Sequence, residues 1–85
     1  MGNKKFVEKC KEIVAQYHNE HTDGDMILPD DVYVVWLCKI LGNNKALLST
    51  DVPDGMYYEV TYNGVKNEAY VDAYKKQENV CVKFE

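Results

Sequence analysis

The sequence predicts an α+β domain, with one N-terminal helix packed on an antiparallel sheet of four to five strands. Three observations carry this reading. Apolar residues recur at helical spacing before Pro29, strand-forming residues dominate after it, and an Asn63-Gly64 turn signal sits between two alternating runs. At 85 residues the chain is read as a single domain, residues 1–85. A domain of this size buries only roughly 60 to 65% of the surface its unfolded chain exposes, so a partner or a second copy would add usefully to a small stability margin.

Phe6, Cys10, Ile13, Val14 and Tyr17 fall on one helical face, with Lys5, Glu8, Lys9, Glu12 and Gln16 on the other. This predicts a helix over residues 4–20, capped by Asn3 and ending in the polar run of residues 18–25. Residues 32–41, rich in β-branched and aromatic types, are predicted as a strand, followed by a turn at residues 42–44. A shorter strand over residues 45–50 returns to the Pro53-Asp54-Gly55 turn. The hairpin of residues 56–71 comes next, and a last strand is expected over residues 80–84.

Alternation assigns the faces. Met56, Tyr58, Val60 and Tyr62, then Ala69, Val71 and Ala73, then Val80, Val82 and Phe84, are expected on the side the helix covers. The other side then carries Tyr57, Glu59, Thr61, Glu68, Tyr70, Asp72, Tyr74, Cys81 and Lys83. A loop at residues 76–79 would set Asp72 opposite Lys83, Ala73 opposite Val82 and Val71 opposite Phe84. Two registers fit the Asn63-Gly64 turn: a two-residue loop facing Glu59 with Glu68, and a four-residue loop facing Glu59 with Tyr70, which avoids opposed carboxylates. In the first strand both alternating sets are apolar. Val34, Trp36, Cys38 and Ile40 fall on one side, and Tyr33, Val35, Leu37 and Leu41 on the other. One helix covers one face, so a homodimer is expected to shield the remainder.

Composition narrows the function classes. A net charge of −4 disfavours duplex DNA, which needs a basic face. All ten basic residues are lysines, so no arginine is present to grip a carboxylate or phosphate with two parallel bonds. Ser49, the only serine, has no His-Asp motif beside it, and no nucleophile, base and oxyanion set can be assembled. The chain is therefore read as non-enzymatic. It has no apolar run long enough for a membrane span and no signal-peptide core, which predicts an intracellular protein.

The segments DDVYVVWLCK, NKALLST, DGMYYEVTYNG and DAYKK, between residues 30 and 76, resemble a family of short phage and prophage proteins of Gram-positive bacteria whose activity is uncharacterised. The resemblance implies an accessory protein in the cytoplasm of a bacterial host, binding a host or defence component. It brings no catalytic residues, cofactor or metal.

Other constellations have plainer explanations. His18-x-x-His21 with Asp23 and Asp25 has imidazole and carboxylate ligands, but a solvated helix end accounts for the pattern and no metal is expected. Cys10, Cys38 and Cys81 are odd in number, lack a CxxC spacing and read as free thiols. Glu59 and Glu68 form an acid–base pair only in the tight register. Trp36 reads as core and Lys39 as the mark of an edge or a partner contact. What a structural sheet does not require is a polar face carrying Tyr57, Tyr70 and Tyr74 among Glu59, Glu68 and Asp72. Tyrosine gives large contact area at low entropic cost, so this face is the expected protein-binding surface. The alternative is a nucleic-acid or nucleotide binder that stacks bases on the same tyrosines.

Overall fold

Phe6, Cys10 and Val14, spaced one helical turn apart, form the apolar seam of helix α1 (Asn3–Glu20), and the charged residues between them face solvent. The computed structural model describes residues 2–84. The helix starts one residue early: Gly2 occupies the N-cap, its carbonyl accepting the Phe6 N–H at 3.0 Å, so Asn3 is the first helical residue instead of the cap. The helix ends inside the polar run, where the His21 N–H turns back to the His18 carbonyl at 3.1 Å. Asn19 then clamps the following loop, accepting the Ile27 N–H and donating to the Ile27 carbonyl at 2.8 and 2.9 Å. That pair of bonds seats Ile27 in the core. A short 3-10 turn at Pro29–Asp31, tied by the Leu28 N–H to Asp31 Oδ2, delivers the chain to the sheet.

Four strands follow, β1 (Val32–Ile40), β2 (Asn43–Thr50), β3 (Met56–Asn63) and β4 (Glu68–Lys75), as an antiparallel meander in sequence order. The β1–β2 reversal is tighter than expected. Leu41 and Gly42 both take positive φ (48° and 83°), the backbone signature of a two-residue hairpin loop, and Asn43 and Asn44 already pair with Ile40 and Lys39. Before β3, Asp54 Oδ1 accepts the Met56 N–H, and Gly55 supplies a φ of 70°.

The core lies between α1 and the inner side of β1 to β3. Phe6, Cys10, Val14 and Ala15 meet Val32, Ala46, Leu48, Tyr58 and Val60, with Val71 the half-buried contribution of β4. Even-numbered residues of β2 and β3 face the helix, as alternation predicts. In β1 the expected split fails, because the pairing with β2 slips between Val34 and Trp36. This bulge puts Val34 and Leu37 on the inner side and Tyr33, Trp36 and Cys38 on the outer, whereas unbroken alternation grouped Val34 with Trp36.

Two further expectations are corrected. The β3–β4 register is neither of the two derived from the turn signal: Asn63 pairs with Glu68, Val60 with Val71 and Glu59 with Asp72. Asn63 Oδ1 accepts the Val65 and Lys66 N–H groups, and Asn67 adopts a φ of 53° while accepting the Tyr62 hydroxyl at 2.9 Å. These side-chain bonds stabilise a longer loop. The predicted strand at residues 80–84 and its pairing with β4 are absent. Residues 76–84 carry no regular structure, and Val80, Val82 and Phe84 are 63%, 79% and fully exposed. The Lys76 N–H donates to the Gly55 carbonyl at 2.8 Å, which extends the β3–β4 pairing by one position before the regular structure ends.

Candidate protein-docking face

Residues directly opposite in antiparallel strands share a face, so the pairings lay out the outer surface as three rows across the sheet. Tyr33, Ser49, Tyr57 and Tyr74 form the first; Trp36, Leu47, Glu59 and Asp72 the second; Cys38, Lys45, Thr61 and Tyr70 the third. The first row is aromatic except at Ser49, a small buried side chain that donates to the Met56 carbonyl at 2.8 Å. The second row changes along its length from apolar on β1 and β2 to acidic on β3 and β4.

All six residues singled out on this face are brought together on β3 and β4. Tyr57 lies opposite Tyr74, and Glu59 opposite Asp72. Glu68 Oε2 accepts the Tyr70 hydroxyl at 2.7 Å, and this bond raises the Tyr70 pKa by favouring the protonated phenol. Two opposed carboxylates repel, and Lys45 Nζ offsets the repulsion from 3.4 Å beyond Glu59 Oε1. The acid–base pairing of Glu59 with Glu68 does not form, because the register separates them by several positions.

Sequence reasoning missed the β1 side of this surface. Trp36, expected in the core, is 40% exposed beside Tyr33 on the outer face. The bulge puts it there, and because both alternating sets of β1 are apolar the pattern carries no trace of the slip. Lys39 lies on an edge strand, since β1 ends the sheet. The molecule is 18 Å through its thinnest direction, enough for a helix layer and a sheet. Among the described residues no third layer covers the outer face.

The two histidines part company. His18 turns into the fold, 6% exposed, with Nδ1 3.9 Å from Asp54 Oδ2. His21 stacks on Tyr17 at 4.1 Å between ring centroids, with Nδ1 at 2.8 Å from the Tyr17 carbonyl. Tyr17 in turn meets Tyr58 edge-on at 5.7 Å. Among the described residues no group of three or more His, Cys, Asp or Glu is placed to hold a metal ion. Cys10 is buried, and burial pushes its thiol from 9.0 up to about 12, so it is an unreactive core residue.

The family model for DUF6275, a family of unknown function, matches residues 7–84. The chain belongs to this family. The DUF6275 match covers α1 from Val7 onward, the whole sheet and the segment after it, and the family's description assigns no activity. No curated protein and no solved structure matches the chain. Among the described residues, no helix is long and apolar enough to cross a membrane.

Proposed function

We propose that this chain is a small non-catalytic protein-binding module, and that the outer face of its sheet docks a partner presenting basic groups beside an apolar patch. The observation that carries the reading is the composition of the three rows. Tyr33, Trp36, Tyr70 and Tyr74 are exposed next to Glu59, Glu68 and Asp72, with Lys45 the cation among the paired positions of those rows. Aromatic residues are enriched at interface centres, and carboxylates around them select a basic surface. The same carboxylates repel phosphates, which disfavours base stacking by a nucleic acid. The resemblance to phage and prophage proteins makes a bacterial host or defence component the expected partner.

A pull-down from bacterial host lysate, with nuclease-treated and untreated arms, tests the reading. Tyr57→Ala with Tyr70→Ala should abolish nuclease-resistant capture while circular dichroism keeps its helix and sheet signals. Undiminished capture by that folded variant would overturn the proposal. Tight binding of single-stranded DNA by the unmodified chain would favour the nucleic-acid reading instead.

A further inference from the structure

A segment with strand-like alternation lies off the sheet, and β4 leaves an open strand edge that matches it. Val80, Val82 and Phe84 alternate with Cys81 and Lys83, and the three apolar side chains face solvent. β4 is an edge strand, and its helix-side residues Ala69 and Ala73 are small and exposed. A cavity of about 180 Å³ opens beside it, between Phe6, Cys10 and Ile13 of α1 and Val60 and Ala69 of the sheet. Exposed alternating apolar residues and an unpaired edge are each a liability that pairing removes.

We propose that residues 80–84 dock as a fifth antiparallel strand on β4 of a second copy, whose own segment returns the contact. The register follows from charge and volume. Lys83 opposite Asp72 brings a cation to the carboxylate that already faces Glu59. Val82 then falls opposite Ala73 and Phe84 opposite Val71, both on the helix side, with the Phe84 ring at the mouth of the 180 Å³ cavity. Lys83 and Cys81 fall on the outer side, opposite Asp72 and Tyr74. The occupant is the second copy because within one chain residues 76–84 carry no regular structure and Val80, Val82 and Phe84 stay exposed, leaving this chain's own β4 edge unpaired by them. Residues 76–79, if extended, span about 13 Å between β4 and the docking segment. Exchange of identical elements is a low-cost route to a closed two-fold dimer.

Light scattering at about 100 μM, above the micromolar Kd of a modest interface, should return twice the chain mass of 9.8 kDa. Val82→Asp with Phe84→Asp should return a folded monomer that keeps the helix signal of circular dichroism and loses only the strand signal of residues 80–84, since both side chains lie outside the core. A monomeric unmodified chain, or a double variant that stays dimeric, would overturn the exchange. Cross-linking identifies the partner strand. Tyr74→Cys, in a Cys38→Ser background, puts a thiol opposite Cys81 within the Cα separation of 4.4–6.8 Å that a disulfide needs. Mild oxidation should give a covalent dimer on a non-reducing gel. A fast-migrating monomer would mean the segment folds onto its own β4, and no cross-link would mean it does not pair there, each overturning the proposal. The double aspartate variant keeps Tyr57 and Tyr70, so exchange and partner docking are read separately.

Discussion

On the helix side of the sheet, Ala46, Leu48, Tyr58 and Val60 are closed over by Phe6, Cys10 and Val14, whereas on the outer side Tyr33, Trp36, Tyr70 and Tyr74 remain exposed. The same strands supply both faces, and on β1 both are apolar or aromatic. Hydrophobicity alone therefore does not mark the core. What separates the faces is that α1 spends its one apolar seam on a single side of β1 to β3 and leaves β4 almost uncovered. An uncovered aromatic face costs solubility unless something occupies it, which is the physical reason to look for a partner there.

The largest expected effect contrasts the two faces directly. Leu48→Ala opens a cavity in a fully buried site and should cost about 2 to 5 kcal/mol, a large share of the stability of a small domain. Trp36→Ala on the outer face should cost about 1 kcal/mol or less in urea unfolding, in line with surface substitutions. Equal losses would show that the outer face is packed as a core in solution.

Titration sharpens the same contrast. Cys10 is pushed up to about 12 by burial, and Tyr58 is raised by burial first and then by Asp54 and Tyr17. Each folded-state acid then keeps a proton that the unfolded chain releases, so their contribution is intact below the unfolded pKa and falls as pH rises above it. For Cys10 that decline begins near its ordinary 9.0 and continues to about 12. Urea midpoints from pH 7 to 11 should show it, and Cys10→Ala should flatten the slope above pH 9. At pH 8 iodoacetamide should modify exposed Cys81 in the native chain and reach Cys10 only on unfolding, as read by mass spectrometry.

The smallest effect concerns the acidic half of the outer face. Lys45→Ala leaves Glu59 facing Asp72 without its nearby cation and should cost about 0.5 kcal/mol, less in high salt. Adding Asp72→Asn should recover most of that loss. A loss in Lys45→Ala that persists unchanged with Asp72→Asn would mean the lysine acts through its packing stem and not its charge.

The helix, the order of strands and the tyrosine face were legible because periodicity reports them directly. The register of β3 against β4 was not, although the face survived the error. The two expected registers and the observed one differ by even steps, and an even slip keeps every side chain on its side. The argument from opposed carboxylates weighed only Glu59 against Glu68, and it failed because the observed register still opposes two carboxylates, Glu59 and Asp72, with Lys45 of the neighbouring strand beside them. The β1 bulge was invisible because both alternating sets were apolar, so Trp36 was assigned to the core.

Sequence alone determined which segments are helical or extended and which residues of β3 and β4 share a side, because these depend on spacing along the chain. Tertiary structure decided how long each pairing runs, where β1 slips and whether residues 80–84 join the sheet, because those depend on which other surfaces are near enough to reward them. An alternating run such as Val80, Val82 and Phe84 becomes a strand only where an edge supplies hydrogen bonds and a covered face supplies burial. Within one chain residues 80–84 lie off the sheet, and Val80, Val82 and Phe84 stay exposed.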